Sequence, residues 1–183
     1  MDNGASSYRR FLDGDDEGLR DLIEEFYDRL ALYLNTYLNN MNDAEEVAET
    51  VFVILATKKP EYGGKSSFRT WLYSIGRNKA VDFIRENSGS GTSIDECAEI
   101  ASEEDVERNF ILDERKRAVH RALSRIKKEY AQVLWLFYFD EMTLKEIASV
   151  MKKTENGVDH LLRRARQSLK EEMIGEGYNY EGS

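Results

Sequence analysis

Apolar residues return every three or four positions along most of the chain, and this spacing predicts helices, because positions i, i+3, i+4 and i+7 share one helical face. The first stripe, from Leu19 onward, holds Leu22, Ile23, Phe26, Leu30, Leu34 and Leu38 and leaves an acidic far face. Asn40 to Asp43 interrupts it. Asp43 with Glu46 then reads as a D-x-x-E start to a second helix, with Val47, Val51, Phe52 and Leu55 inward and Glu45, Glu46 and Glu49 largely outward. Pro60 and Gly63-Gly64 mark a loop, after which Ser66 or Ser67 can cap a third helix carrying Phe68, Trp71, Leu72, Ile75, Ala80 and Ile84.

The pattern lapses over residues 88–112, where Ser88-Gly89-Ser90-Gly91 precedes Asp95, Glu96, Glu99, Glu103, Glu104, Asp105 and Glu107. Few large apolar residues accompany these charges, so a flexible acidic linker is expected. Beyond it, Val119, Leu123 and Ile126, then Tyr130, Val133, Leu134 and Phe137, predict two more helices. Thr143 and Glu146 form a T-x-x-E start for a short helix that turns Leu144, Ile147, Ala148 and Met151 inward. Lys152 to Thr154 makes a tight turn, and Val158, Leu161, Leu162, Ala165 and Leu169 are the buried stripe of the last helix. The expected fold class is therefore all-α: a helical domain over 1–87, the linker over 88–112, a helical domain over 113–174 and a disordered tail over 175–183.

Composition narrows the possibilities. A single proline and the lack of period-two alternation fit helices throughout. One cysteine, Cys97, can neither close an intramolecular disulfide nor build a thiolate zinc site. The start of the chain lacks a basic-then-apolar leader and no apolar run approaches the roughly 20 residues of a membrane span, so a cytoplasmic protein without membrane insertion is expected. His120 and His160 have no metal-ligand spacing and are expected at the surface. No nucleophile and base pair up, and Gly64-Lys65-Ser66 ends like a phosphate-binding loop but has Lys59 where the first glycine would stand. No enzyme activity, metal or cofactor is expected.

Charge poses a contradiction. The net charge of -9 disfavours unaided binding to phosphate backbones, where affinity comes largely from cations displacing counterions. Yet the segment from Tyr62 to Arg85 carries Lys65, Arg69, Arg77, Lys79 and Arg85 beside Tyr62, Phe68, Trp71 and Tyr73, a mixture suited to single-stranded nucleic acid. Phe68 and Trp71 lie on the apolar stripe and fit a core better than a stacking platform. Asn78 offers donors and acceptors to a base edge. The last two helices have helix-turn-helix spacing, with Asn156, Asp159, His160, Arg163, Arg164 and Gln167 facing solvent as on a groove-reading helix. A plain helical hairpin with a solvated face has the same spacing.

Three stretches, "DAEEVAETVFVILA", "SSFRTWLYSIGRNKAVDFIRE" and "MTLKEIASVMKKTENGVDHLLRRARQSLKE", resemble in order and spacing a bacterial RNA polymerase sigma factor of the extracytoplasmic-function group. The resemblance covers nearly the whole chain. It implies that Asp43, Glu45, Glu46 and Glu49 dock on the clamp of the RNA polymerase core. It implies that the loop Glu61 to Ser67, with Lys65 and Ser66, and the helix with Arg69, Arg77, Asn78 and Lys79, melt and read the minus-10 promoter element. The last helix would read the minus-35 duplex, with His160, Arg163 and Arg164 toward the groove and Arg166 or Lys152 nearer phosphates, and Asn156 a further DNA-binding candidate. An anti-sigma factor is a further partner the resemblance implies. Lys127 stands where the family often has proline, Glu49 where glutamine is common, and Asp159 and Leu161 where basic residues are frequent. A stand-alone helix-turn-helix regulator and a helical adaptor that binds only proteins are the alternatives.

Overall fold

The computed structural model describes residues 4–88, 114–175 and 177. Most of the acidic linker and of the tail therefore lies outside the described residues. Eight helices are found among them, and no strand: α1 Ala5–Leu12, α2 Glu17–Leu38, α3 Met41–Lys58, α4 Phe68–Asn87, α5 Glu114–Arg125, α6 Lys128–Leu134, α7 Leu144–Met151 and α8 Glu155–Gly175. A π-helical turn, Trp135–Phe139, continues α6.

Helices α1 to α4 form the first domain. Leu22, Leu30 and Leu34 of α2 meet Val51 and Leu55 of α3 and Leu72 of α4, all with no exposed surface. Gly76 lets α4 approach α2 closely, since a Cβ there would stand 2.9 Å from Leu30 Cδ1. The α2–α3 corner differs from the D-x-x-E expectation. Asn39 takes a left-handed conformation at φ 52°, and Asn40, not Asp43, caps α3, its side chain accepting from the Asp43 N–H at 3.2 Å. Asparagine tolerates left-handed backbone and its amide oxygen serves as a cap, so the turn is tighter than two charged residues suggested. Ser67 caps α4 through the Thr70 N–H, at 3.2 Å. Helix α1 was not expected; its Tyr8 and Phe11 are buried against α2 and α4.

Helices α5 to α8 form the second domain, closed by Val133, Leu136, Ile147, Val150, Val158 and Ala165 at zero exposure. The π turn holds five large apolar residues, WLFYF, and its extra residue per turn redirects the chain beyond it. Trp135 and Leu136 are buried, while Tyr138 and Phe139 are 53% and 43% exposed. Asp140, which closes the turn through its N–H to Trp135 O at 3.2 Å, is then 2% exposed and faces the first domain.

The capping box at α7 is formed. The Thr143 hydroxyl accepts from the Glu146 N–H at 3.3 Å, and Glu146 Oε2 accepts from the Thr143 N–H at 2.9 Å. Thr143→Ala is expected to cost about 1 kcal/mol, read as a lower urea midpoint with unchanged slope.

The two domains touch along the start of α4. The Tyr73 hydroxyl donates to Asp140 Oδ1 at 3.0 Å and Arg69 Nη1 donates to the Asp140 carbonyl at 2.7 Å. Ser67 and Thr70 hydroxyls both reach Glu146 Oε1, at 3.1 and 3.3 Å.

Candidate functional site

The basic candidates fall on two separate surfaces. On the first domain, α3 ends with Lys59 in left-handed conformation, and the chain crosses to α4 through a loop whose tip, Gly64, has φ +67°. The Tyr62 hydroxyl donates back to Ser66 O at 2.5 Å and holds the loop open as a ring. A concavity of about 400 Å³ results, lined by Glu61, Tyr62, Gly63, Gly64, Lys65, Ser66 and Trp71. Phe68 is core, as its stripe position implied, but Trp71 is half-buried and forms one wall. Asn78 is exposed and lies seven residues along α4 from Trp71, hence on the same face about 10 Å away.

Not every candidate cation points to that surface. Lys65 is exposed and Ser66 partly so, but Arg69 is turned into the interface with Asp140 and lies 3.9 Å from Glu146. Arg77 is half-buried, its charge beside the phenols of Tyr33 and Tyr37, whose pKa values burial raises and Arg77 partly lowers. Lys79 pairs with Asp82 at 3.6 Å. In this arrangement Lys65 and Asn78 are the groups most open to a ligand from solvent.

On the second domain, α8 begins at the turn where the Thr154 hydroxyl accepts from the Gly157 N–H at 3.0 Å. Asn156, His160, Arg163, Arg164 and Gln167 are exposed along one face, over the buried stripe of Val158, Leu161, Leu162 and Ala165. Asp159 is ion-paired with Arg163 one turn on, so the two act as one unit with part of the guanidinium fork still free. Lys152, in left-handed conformation at φ 55°, and Arg164 converge on a cleft of about 600 Å³ with Lys153, Thr154, Gly157, Leu161 and Glu129. Lys153, which no motif singles out, is tied to Glu129 at 2.5 Å and staples the turn to α6. Arg166 lies off this surface. Its Nε donates to the Tyr138 hydroxyl at 2.8 Å and its guanidinium covers the Phe137 ring at 5.2 Å, so it braces the π turn.

A third surface is acidic. Glu46 and Glu49 of α3 are exposed, Asp43 and Glu45 partly so, and Val53, 57% exposed, continues the same face one turn beyond Glu49. Burial, and then the Glu49 and Glu45 charges, raise the Tyr27 pKa. Val53 does not stand out in the sequence because it sits in an apolar run, V-F-V-I-L, whose other members are largely core.

Of the histidines, His160 is exposed but His120 is not a surface residue. It is half-buried against Trp135 at 5.7 Å and Phe139 at 6.0 Å, and burial lowers its pKa. The described residues hold no cluster of metal-ligating side chains, and none of their helices is long and apolar enough to cross a membrane.

These surfaces coincide with known sequence families. Residues 22–89 match sigma-70 region 2 and residues 116–169 match sigma-70, region 4. The chain is 25% identical over 160 residues to the RNA polymerase sigma factor YlaC of Bacillus subtilis, covering 86% of this chain and 92% of that protein. It is 22% identical over 170 residues to the ECF RNA polymerase sigma factor SigW of the same organism, covering 87% and 91%. Among solved structures, CnrH in complex with the cytosolic domain of CnrY has a TM-score of 0.66 at 19% identity, over 94% of this chain and 96% of that one. The sigma factor RpoE in complex with the anti-sigma factor NepR, from Bartonella quintana, also has a TM-score of 0.66, at 12% identity over 85% and 96%. At these identities the structural likeness concerns the fold.

Proposed function

The chain belongs to the extracytoplasmic-function group of bacterial RNA polymerase sigma factors, and on that premise we propose how its three surfaces share the work of promoter-directed transcription initiation. The acidic face of α3, with Asp43, Glu45, Glu46 and Glu49, docks on basic residues of the polymerase core. The ring-shaped loop and α4 hold an extruded non-template base of the minus-10 element, Trp71 giving one wall and Asn78 the polar contact. The exposed face of α8 enters the major groove at the minus-35 element, with the Arg163–Asp159 unit, Asn156 and His160 over base edges and Lys152 and Arg164 on a phosphate. The chain brings no catalytic group of its own and works where the polymerase works, in the cytoplasm.

The observation that carries this reading is the placement of the exposed polar groups. Two domains each present one polar, nucleic-acid-sized surface, and α3 presents a separate acidic one. An acidic protein can then act at DNA because the core enzyme supplies the non-specific grip, and its own cations need only serve local contacts. Arg69 and Arg77 require a different arrangement from the docked one before they can meet DNA. We include an anti-sigma partner in the proposal, as a protein that would hold the two domains in a DNA-incompetent arrangement.

Reconstitution with core polymerase, followed by sequencing of transcript starts from a genomic template library, tests the reading; failure to join core or to favour any start sequence removes it. Within it, Arg164→Ala is expected to reduce duplex affinity several-fold and to lower the slope of log K against log salt by about one, since one phosphate contact is lost. An unchanged slope would take Arg164 off the backbone.

A further inference from the structure

Helix α1 lies before the segment that matches region 2, which begins at residue 22, and nothing in the family match gives it a task. Its contacts converge on the two ends of the loop. The Tyr8 hydroxyl, on a side chain only 1% exposed, donates to Pro60 O at 2.6 Å, where the chain leaves α3. One helical turn on, the Phe11 ring lies under Lys59 Nζ at 4.6 Å. The Tyr8 ring meets Phe68 and Trp71 on α4, where the loop ends, with centroids 5.3 and 5.5 Å apart. Tyr62 closes the same group, 5.5 Å from Phe68 and 5.3 Å from Trp71. Both sides of the concavity, Trp71 on α4 and the strap beginning at Pro60, are thus referenced to one buried phenol. Burial holds that phenol's pKa up at about 12, so it stays a donor at any working pH.

We propose that Tyr8 is a positioning residue for base capture: it fixes the loop from Lys59 to Ser67 in its ring shape by tying the Pro60 carbonyl to the aromatic wall that Trp71 presents. The inference rests on the assignment of this concavity to an extruded base. Its physical content is preorganisation, since a loop with two adjacent glycines otherwise spends conformational entropy on ordering when the base arrives. Helix α1 is itself seated through Gly18, where a Cβ would come within 2.3 Å of Ser7 O and 2.7 Å of the Phe11 nitrogen.

The test uses the full chain bound to core polymerase and a forked DNA. This probe has a duplex minus-35 end and a randomised single-stranded segment, selected once with the unsubstituted holoenzyme and then labelled with 2-aminopurine at the preferred position. Tyr8→Phe keeps the ring and loses only the donor. It is expected to retain core affinity and minus-35 duplex affinity, to bind the forked probe about five- to tenfold more weakly, and to show a smaller 2-aminopurine emission rise at saturation. Gly18→Ala, outside the concavity, is expected to give the same selective loss by displacing α1. Unchanged forked-probe affinity and emission in Tyr8→Phe would overturn the proposal, as would equal losses on core, duplex and fork, which would mark a merely structural residue. If the unsubstituted holoenzyme itself gains nothing from the single-stranded segment, the base-capture reading fails first and the inference with it.

Discussion

Asn78→Ala is expected to lower open-complex formation at a cognate promoter by about ten- to a hundredfold while leaving core binding and minus-35 duplex binding unchanged. An amide placed on a base edge makes paired donor and acceptor contacts worth about 1–3 kcal/mol of discrimination, and the methyl of alanine replaces neither. The stability cost is small, because Asn78 is exposed on α4 and its neighbours Gly76 and Ala80 carry the packing against the core. The selectivity of the loss is what matters. Permanganate footprinting of unstacked thymines reports melting, and a gel-shift on duplex DNA reports the other domain. If both assays respond equally, Asn78 affects the holoenzyme as a whole; if neither does, the base contact belongs to Lys65 of the loop or Trp71 of α4 instead. Asn78→Gln keeps the amide one methylene farther out, and partial activity there would identify hydrogen bonding as the lost interaction.

The face that carries Asn78 was readable from sequence because helical spacing alone puts residues 71, 75 and 78 together. The same holds for the buried stripe of α2, apart from Ile23, which is 39% exposed, and for the Ser67 cap, the Thr143–Glu146 capping box and the exposed side of α8, all set by residues within one or two turns. What escaped depends on distant partners. Helix α1 is one eight-residue segment with a single buried pair, Tyr8 and Phe11, too short for periodicity to declare, and it exists because α2 and α4 offer it an apolar seat. A count of basic side chains could not reveal that Arg69 turns to Asp140, 71 residues away, or that Arg166 lies over Phe137 and Tyr138. The π turn was hidden for a related reason. Its five apolar residues read as a continuation of α6, whereas the bond from the Asp140 N–H to Trp135 O and the aim of Asp140 toward the first domain show that the backbone has gained a residue.

That aim makes the contact between domains sensitive to pH in a definite direction. Burial raises the Asp140 carboxyl from its ordinary 3.8 to about 6, and the opposing pulls of the Tyr73 hydroxyl, Arg69, Arg29 and Trp135 do not cancel it. A carboxyl whose pKa is raised in the folded, docked chain favours that state as pH falls from about 6 toward 4, and above 6 the state bears a constant cost of keeping the ionised group out of water. A shift of this size corresponds to about 2–3 kcal/mol. Glu146 across the same interface works the other way. Burial would raise it, but the Thr143 N–H and hydroxyl, Ser67 and Arg69 outweigh that and hold it below the usual value, so its contribution is lost only at more acid pH. Between pH 6 and 4.5 Asp140 therefore dominates. Small-angle scattering of the full chain is expected to show the radius of gyration falling over that interval, and Asp140→Asn, which keeps an acceptor for Tyr73 without the charge, is expected to flatten the profile at its compact end. A slope that survives in Asp140→Asn would assign the pH response to another group. A profile that is flat in the unsubstituted chain would mean that hydration reaches Asp140 even when the domains touch.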